Sequence, residues 1–492
     1  MKIIILGAGR VGYSVAESLV SEKNDITVID TDASRLRALE SRFDLRGVLG
    51  SGTDPQVLAE AGANDTELLI ACASLDETNL VCCKLAQILF GIPTRIARVH
   101  SSAFALEHER QLLGKDGFGV DSIVCPEESL TNYIRKLIEY PEAMQVRAFA
   151  DERAALVAVR ARAGAPAVGL RIADIRDRMP ELEIRIVAIY RLFPDEPDRF
   201  VRCAGGTRIE PGDEVFILAA TGHVPEALRA FNRPEGRSSR PVSRIMIAGG
   251  NQVSLRLASK LAQTPGRFHI KLIERNEQQC LSLSAALPSE VLVLQGDATD
   301  EDLLGNESID DVDMFLALTN DDQNNIMSTL LAKRMGARRV LALVDRRAYA
   351  DLVHGTQIDI ALTPAQAMLG ELLAHVRRGD VQAVHSLRRG VAEALEIVAR
   401  GDRKSSRVVG RKVEELRLPE DVHIGLIVRG MRAGDDFGGP AGEPGDGERP
   451  SEVIIPRSHT VIESGDHVVF FLPNKHLVRD VENLFHVSPT FF

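Results

Sequence analysis

Residues 2–12 read KIIILGAGRVG, in which a short apolar run leads into three glycines spaced as G-x-G-x-x-G. The apolar run has the length of a buried strand, and residues 11–21 continue as an amphipathic stretch typical of a helix. A second apolar run, residues 26–29, ends at Asp30, which lies 18 positions after Gly12. Strand, glycine turn, helix and a second strand that ends in an acid predict an α/β fold with a parallel, doubly wound sheet.

The spacing of the glycines matches the phosphate-binding turn of dinucleotide-binding folds. Gly7 allows a tight turn, Gly9 lets the backbone come close to a pyrophosphate, and Gly12 allows the helix and the sheet to pack closely. The start of the helix supplies free N–H groups and a partial positive charge for a phosphate. Asp30 is placed to bind a ribose 2′-hydroxyl, which favours NAD or an adenosine nucleotide over NADP. A glycine turn that only packs the sheet is the alternative.

The same pattern occurs twice along the chain. Residues 244–254 read RIMIAGGNQVS, and the apolar run that follows ends at Glu274 as the first ends at Asp30. Further pairs of segments match in the same order: residues 50–54 and 296–300, 68–79 and 314–325, and 209–215 and 462–468. Matches in one order at a nearly constant offset indicate an internal duplication.

The duplication predicts four lobes in two similar pairs. Each pair begins with a Rossmann-like α/β lobe and ends with a small, β-rich α+β lobe, because a Gly-Asp turn between alternating segments indicates antiparallel strands. We expect an α/β lobe at 1–140, a β-rich lobe at 141–230, a linker at 231–242, an α/β lobe at 243–384 and a β-rich lobe at 385–492. Residues 431–451, with six Gly and three Pro, are expected to form a disordered insertion.

The composition limits the kind of protein and its partners. The 492 residues include 59 basic and 70 acidic side chains, a net charge of -11, and no Trp. An acidic chain with few stacking side chains is not expected to bind nucleic acid. No apolar run reaches the roughly 18 residues of a transmembrane helix, and the N-terminal residues lack a signal-peptide pattern. The six Cys show no disulfide or metal spacing, so we expect buried thiols in a reducing cytoplasm.

Further residues should line the crevice at the carboxyl ends of the parallel strands. They are Ser51, Gly52 and Thr53 after the third predicted strand, Ala73 and Ser74 after the fourth, and Arg98 in the next apolar run. Arg98 could face a phosphate, with an ion pair as the alternative. Ala8, Arg10 and Val11 complete the glycine loop. Arg10 could reach a terminal phosphate or a neighbouring subunit, or remain a solvated arginine.

The second glycine loop is altered at two of its three glycine positions. Asn251 replaces the middle glycine and Ser254 the last, and both add side-chain atoms where a close backbone approach allows none. By position, the second candidate site comprises Gly249, Gly250, Asn251, Gln252, Val253, Glu274, Asp297 and Thr319. The sequence leaves open whether this site binds a dinucleotide weakly, differently or not at all.

The rest of the chain shows no pattern that indicates catalysis. A dehydrogenase needs a substrate domain with a poised acid, base or electrophile. The small lobes offer no cluster of His, Lys or Tyr and no zinc-ligand spacing. Nucleotide binding without chemistry predicts a sensor and not an enzyme. An NAD-dependent oxidoreductase with an unfamiliar substrate domain is the alternative, and the duplication argues against it.

Several longer stretches resemble one protein family. They are residues 29–32 (IDTD), 319–328 (TNDDQNNIMS), 331–337 (LAKRMGA) and 385–390 (HSLRRG). Over nearly its whole length the chain resembles the TrkA-type regulatory subunits of bacterial Trk potassium uptake systems, which contain tandem RCK (regulator of potassium conductance) modules. The resemblance implies a homo-oligomeric ring of RCK modules, peripheral at the cytoplasmic face of the plasma membrane. Such a ring would bind NAD(H) and ATP or ADP and gate a TrkH-type potassium channel subunit.

The resemblance also implies roles for single residues. It places first-site ligands at residues 7–11, Asp30, Ser51, Ala73, Ser74 and Arg98. It implies a divalent-cation position at Glu127, whose repeat partner is Ala365, so that any such site is not duplicated. His100 stands where relatives often have arginine, which weakens phosphate contacts from that strand at neutral pH. A regulatory module of a potassium efflux antiporter remains a third hypothesis that the sequence does not separate from the Trk system.

Overall fold

The computed structural model describes residues 1–20, 24–100, 110–193, 199–201, 203–233, 241–346, 349, 352–353, 357–376, 380–387, 391–419, 421–431 and 451–486. The chain divides into two compact units, one of residues 1–135 and 242–372 and the other of residues 136–241 and 373–492. Each unit therefore takes one part from each half of the duplication. Most of the expected insertion 431–451 and most of the expected linker 231–242 lie outside the described residues.

The first α/β lobe contains a six-stranded parallel sheet in the order β3-β2-β1-β4-β5-β6. Its strands are β1 (Lys2–Leu6), β2 (Asp25–Asp30), β3 (Arg46–Leu49), β4 (Leu68–Ala71), β5 (Thr94–Arg98) and β6 (Ser122–Val124). The order reverses between β1 and β4, and in such sheets ligands bind in the crevice above the carboxyl ends at this point. The central strand β1 is buried after Lys2, as expected for a strand with helices on both faces.

The connections of this lobe are helices that cover the sheet. They are α1 (Arg10–Val20), α2 (Ala33–Glu40), α3 (Pro55–Glu60), α4 (Asp76–Leu85) with a π-helical turn at Ala86–Phe90, α5 (Arg110–Leu113) and α6 (Pro126–Glu139). Helix α1 buries Gly12, Val15, Ala16 and Leu19, which is the i, i+3, i+4, i+7 spacing of one helix face. The glycine turn is therefore fixed between a buried strand and the buried face of a helix.

The second α/β lobe repeats this topology in the order β14-β13-β12-β15-β16-β17. Its strands are β12 (Arg244–Ala248), β13 (His269–Glu274), β14 (Val291–Gln295), β15 (Met314–Ala317), β16 (Arg339–Leu343) and β17 (Ile360–Leu362). Its helices are α9 (Gln252–Ala262), α10 (Glu277–Ala286), α11 (Glu301–Asn306), α12 (Asp322–Arg334) and α13 (Pro364–Val376). The duplication and the two Rossmann-like parallel sheets predicted from the sequence are confirmed.

The other unit holds two antiparallel five-stranded sheets, which confirms the β-rich lobes. The first contains β7 (Ala143–Phe149), β8 (Ala154–Arg160), β9 (Ile184–Arg191), β10 (Arg199–Val201) and β11 (Glu214–Ala220), with helices α7 (Ile172–Arg178) and α8 (Val224–Asn232). The second contains β18 (Val381–Leu387), β19 (Ala392–Val398), β20 (His423–Arg429), β21 (Glu452–Ile454) and β22 (His467–Leu472), with helix α14 (Val478–Phe485). Corresponding strands occupy corresponding places in the two sheets.

Two expected boundaries need correction. Strand β18 pairs along its length with β19, so the expected boundary at residue 384 falls inside a strand of the β-rich lobe. Helix α8 runs to Asn232, so the expected linker 231–242 begins within a helix. In both places a regular element, a strand at residue 384 and a helix at residue 231, extends across the boundary that the sequence pattern predicted.

Two expectations from the composition can be compared with the structure. Four of the six free cysteines, Cys72, Cys82, Cys83 and Cys280, are buried, which confirms the expectation of buried thiols for these four. Burial raises the pKa of Cys72 and of Cys82 to about 12, so both thiols stay protonated at neutral pH. Within the described ranges, no helix combines the length and the apolar character that crossing a membrane requires.

The two β-rich lobes share one apolar core that includes Phe149 and Leu426. Their sheets approach so closely that a Cβ added at Gly425 would lie 2.1 Å from Cδ1 of Leu218. Polar contacts accompany this packing. The buried Glu396 accepts the backbone N–H of Ala150 (2.9 Å) and lies 2.5 Å from Nδ1 of His467. The imidazole of His385 donates from Nε2 to the carbonyl oxygen of Ala148 (2.9 Å).

The contact of His385 predicts acid sensitivity of this unit. Burial, together with the positive charge of Arg147, lowers the pKa of His385 from 6.5 to about 3. Below pH 6.5 the unfolded chain therefore takes up a proton that the folded unit does not accept until about pH 3. We expect the free energy of unfolding to decrease as the pH is lowered from 6.5 to about 3. Denaturant titrations of the wild type and of His385→Gln should show a flatter pH dependence for the variant. Equal slopes would contradict this assignment.

Candidate nucleotide site

A cavity of about 1180 Å³ lies at the carboxyl ends of the strands in the unit that contains both α/β lobes. It is larger than the roughly 300–1,000 Å³ of typical small-molecule pockets, so its volume suits a ligand of dinucleotide size. Its lining includes the predicted residues Gly7, Ala8, Gly9, Arg10, Val11, Asp30, Ser51, Gly52, Ala73, Ser74, Arg98, Glu127, Asn251, Val253 and Thr319. The predicted residues Gly12, Thr53, Gly249, Gly250, Gln252, Glu274 and Asp297 are not part of the lining. The cavity thus combines most of the first candidate site with a few residues of the second.

The three glycines of the first loop differ in what requires them. Gly7 has φ +101°, and its N–H donates to the carbonyl oxygen of Ile29 (2.8 Å). A Cβ added at Gly12 would lie 1.7 Å from the carbonyl oxygen of Gly7, so only glycine fits at this position in the first turn of helix α1. A Cβ added at Gly9 would meet no protein atom within 4 Å. The fold therefore explains Gly7 and Gly12, whereas Gly9 faces open space in the cavity.

Asp30 is fixed at the end of β2 by the glycine loop itself. One carboxylate oxygen accepts the backbone N–H of Ala8 (2.5 Å), and the other accepts that of Asp32 (2.8 Å). The residue is 7% exposed and lines the cavity. Each carboxylate oxygen can accept a further hydrogen bond. This arrangement suits the hydroxyl donors of a ribose.

Arg98 has an unsatisfied donor at the edge of the cavity. Its Nη2 donates to Nε2 of His100 (2.8 Å), and Nδ1 of the same imidazole lies 2.7 Å from a carboxylate oxygen of Asp76. Since a guanidinium can only donate, the imidazole accepts at Nε2 and donates at Nδ1. Nε of Arg98 is buried and has no hydrogen-bond partner within the part of the chain that the structure describes. An anionic group in the cavity would remove this deficit.

Asn79 was not predicted as a site residue, although it positions two parts of the site. Its side chain accepts the N–H of Ala73 (2.8 Å) and donates to the carbonyl oxygens of Ala73 (3.0 Å) and Arg98 (2.9 Å). Asn325 makes the same contacts with Thr319 and Leu343 in the second lobe. The two asparagines occupy equivalent positions of the duplication, and that equivalence was the signal that could have identified them.

The second loop is closed by protein side chains. Asn251 caps helix α9, because its Oδ1 accepts the N–H of Ser254 (3.1 Å) while its Nδ2 donates to the carbonyl oxygen of Leu318 (2.5 Å). Glu274 accepts the N–H of Gly250 (2.7 Å), just as Asp30 accepts the N–H of Ala8 in the first lobe. A Cβ added at Gly250 would lie 2.5 Å from Cδ1 of Leu283. The side chain of Asn251 therefore stands where the first loop has the bare backbone of Gly9, and it already binds the N–H of Ser254 at the start of α9.

Four further predicted residues have partners within the protein. Ser51 and Thr53 share a hydrogen bond between their hydroxyls (2.7 Å). In the second lobe Asp297 accepts from Arg275 (2.6 Å), and the Thr319 hydroxyl bonds to Asn325 (2.7 Å). These contacts hold the loops at the strand ends.

Glu127 lies near two side chains that could bind a metal ion. Its carboxylate is 4.0 Å from Nε2 of His100 and 3.8 Å from the thiol of Cys125. Across the described ranges, no three or more His, Cys, Asp and Glu side chains form a group that could hold a metal ion. The divalent cation that the resemblance implies between modules therefore stays a prediction.

Arg10 forms a contact with the other α/β lobe. Its guanidinium forms an ion pair with Asp345, which follows β16 in the second α/β lobe. Both residues line the cavity. The first glycine loop is thereby joined to the strand end of the other lobe.

Comparison with known proteins identifies the family. Residues 3–126 and 245–364 match the TrkA-N domain, and residues 156–232 match the TrkA-C domain. The chain is 46% identical over 491 residues to the Trk system potassium uptake protein TrkA of Vibrio alginolyticus and 45% identical over 492 residues to that of Halomonas elongata. These alignments cover 100% of this chain and 100% of each relative. The chain belongs to the TrkA family.

Solved structures show the same fold at low identity. The GsuK RCK domain aligns with a TM-score of 0.56 and 17% identity, covering 98% of this chain and 94% of that one. The GsuK channel aligns with a TM-score of 0.57 and 18% identity, covering 98% and 78%. The fold of this TrkA-family protein is thus that of RCK domains, as expected. The relatives are named for potassium uptake and not for an enzymatic reaction, in agreement with the expectation that the chain is not an enzyme.

Gly9 and Gly12 allow ligand binding to be separated from folding. We expect Gly9→Ala to lower NADH affinity at least tenfold, because the new methyl group enters the cavity, and to change the free energy of unfolding by less than about 0.5 kcal/mol. We expect Gly12→Ala to lower the unfolding temperature strongly because of its contact with the Gly7 carbonyl. Calorimetric titration and thermal unfolding measure the two effects. Unchanged NADH affinity in Gly9→Ala would contradict the phosphate-loop assignment.

Asp30 and Glu274 form a second matched pair. Each accepts two backbone N–H groups in its own lobe, but only Asp30 lines the cavity. We expect Asp30→Ala to lower NAD(H) affinity at least tenfold through the loss of its ribose contacts. Glu274→Ala should cost similar stability and leave NAD(H) affinity within about twofold. Calorimetry on both variants provides the test, and equal losses of affinity would show that Asp30 acts only through folding.

Proposed function

We propose that the first α/β lobe is a nucleotide sensor that binds NAD(H) and ATP or ADP. We propose further that the protein, as a homo-oligomeric ring of RCK modules at the cytoplasmic face of the membrane, uses this site to gate a TrkH-type potassium channel subunit. The observation that carries the nucleotide proposal is the first glycine loop. Gly9 opens onto the same cavity as the Asp30 carboxylate and the unsatisfied guanidinium of Arg98.

Each part of the cavity suits one part of an adenine nucleotide. The start of α1 and the bare backbone at Gly9 would receive the phosphates, since a helix N-terminus offers free N–H groups and positive potential. Asp30 would accept the ribose hydroxyls, and Arg98 would donate from Nε to a phosphate oxygen. A GsuK channel of the same fold is described as bound to NAD, which supports the choice of ligand class.

The cavity favours binding over chemistry. The imidazole of His100 is held between Asp76 and Arg98, so it is not free to act as a base toward a ligand. The nearest thiol, Cys72, lines the cavity but is held protonated by burial, with its pKa raised to about 12. A site of this kind can respond to a nucleotide without converting it.

The second α/β lobe is proposed to bind no nucleotide at its own loop. Asn251 occupies the N-terminus of α9, and Leu343 stands at the strand end where the first lobe has Arg98. The second lobe therefore lacks both the free helix start and the cation. Its role is proposed to be structural and regulatory.

Gating would follow from unequal binding to two arrangements of the modules. A nucleotide that contacts both arrangements equally shifts nothing, whereas one that contacts them unequally shifts their populations by its differential affinity. The cavity is lined by both α/β lobes, so a ligand in it contacts groups from each. Such a ligand can favour one placement of the lobes over another.

Reconstitution with membrane partners tests the proposed function. We expect the protein to co-purify with a TrkH-type subunit and to change potassium flux in proteoliposomes when ATP, ADP or NADH is added. Gly9→Ala should still co-purify but respond much less to nucleotide. Co-purification with an efflux antiporter instead would support that alternative partner. Loss of nicotinamide absorbance when NADH is incubated with the protein and simple 2-oxo acids would overturn the sensor in favour of an oxidoreductase.

A further inference from the structure

We propose that Asp345, which belongs to the second α/β lobe, makes the first nucleotide site discriminate between ligands by the charge of a terminal phosphate. The proposal rests on the proposed function, namely that the first lobe binds nucleotides. It adds a residue that acts on this site from the opposite half of the duplication. Its basis is the contact of Asp345 with Arg10 in the first glycine loop.

The Arg10–Asp345 ion pair joins the first glycine loop to a strand end of the other α/β lobe, and both residues line the cavity. Arg10 directly follows Gly9, and Asp345 lies two residues beyond β16. The Arg10 side chain is 76% exposed, whereas that of Asp345 is 20% exposed. The acid is therefore the more buried partner, and the arginine is the more accessible one, which a ligand could recruit.

The duplication shows that an acid is not needed at this position for the fold. Asp345 is the repeat equivalent of His100, since Asn79 and Asn325 bond to the carbonyls of Arg98 and Leu343, two residues earlier in each case. The backbone N–H of His100 donates to Asp76 (3.0 Å). That of Asp345 donates to Asp322 (2.8 Å). The same backbone contact exists with an imidazole or a carboxylate side chain, so the carboxylate of Asp345 is free for another role.

The charges that line the cavity determine how strongly the Arg10–Asp345 contact affects a bound phosphate. Its lining contains three cationic side chains, Arg10, Arg35 and Arg98, and five acidic ones, Glu17, Asp30, Glu127, Asp322 and Asp345. Arg35 is paired with Asp32 at 3.4 Å. While Arg10 is held by Asp345, Arg98 is the cation that faces an incoming phosphate. Each added negative charge on a ligand is therefore opposed unless Arg10 leaves Asp345.

The size of the effect allows exchange. Because the Arg10 side chain is largely exposed, its ion pair is screened by solvent, so a phosphate can displace Asp345 from Arg10 at small cost. The two phosphates of NAD are internal, and each carries one negative charge, so we expect them to remain at the loop backbone. The terminal phosphate of ATP extends further and carries about two charges. ATP would break the contact between the lobes at Arg10, whereas NAD(H) would leave it intact.

Calorimetric titration of Asp345→Asn with ATP and with NADH tests the proposal. Because Asp345→Asn removes both the ion pair that ATP would break and one repulsive charge, we expect a gain of about three- to tenfold in ATP affinity. NADH affinity should stay within about twofold. Asp321→Asn is the matched control, because it removes one acid after the neighbouring strand β15 while asparagine still caps α12. This control should leave the ratio of ATP to NADH affinity unchanged.

A double-mutant cycle identifies the partner. Arg10→Gln should weaken ATP binding, and Asp345→Asn should raise ATP affinity less in the Arg10→Gln background than in the wild type, because only the repulsive charge is left to remove. Asp345→Glu, which keeps the charge, should keep the wild-type ratio. An unchanged ratio in Asp345→Asn, or an equal gain in the Arg10→Gln background, would overturn the role of Asp345 while leaving nucleotide binding intact. Failure of the wild type to bind either nucleotide would overturn the proposed function as well.

Discussion

The close approach of Gly12 to the carbonyl oxygen of Gly7 is the contact on which the first site depends. It brings the start of α1 against the end of β1, and no side chain larger than hydrogen fits between them. This contact aims the first N–H groups of α1 into the crevice where the strand order reverses. The carboxylate of Asp30 then binds the loop through Ala8, so that acid, loop and helix form one rigid element.

The duplication preserves this backbone and changes what it presents. Gly250 and Glu274 repeat the contact of Ala8 with Asp30 at nearly the same distance. Asn251 nevertheless returns its side chain to the helix start, and Leu283 packs against Gly250. One α/β lobe therefore keeps a glycine turn that is open to the cavity, whereas Asn251 closes the same turn in its copy. Such divergence is inexpensive in stability, because the capping asparagine replaces the hydrogen bonds that a ligand would make.

Because equivalent lobes are paired, the second α/β lobe contributes residues to the cavity of the first. The two α/β lobes share one compact unit and the two β-rich lobes share the other. The second α/β lobe can therefore supply Asp345 and Thr319 to the cavity of the first. In the other unit, the equivalent pairing buries Glu396 and leaves so little space that glycine is required at position 425. The two copies of the α/β lobe therefore contribute residues to a common cavity.

The sequence by itself determined the duplicated α/β and β-rich lobes, the glycine loop and the acid that follows it. These features depend on local rules, because apolar periodicity and glycine spacing act over a few turns of chain. Only the tertiary structure decided that, among the described residues, Nε of Arg98 is left without a partner. It also decided that Arg10 meets Asp345. These outcomes depend on which distant segments pack together, and no local pattern around residue 10 carries information about residue 345.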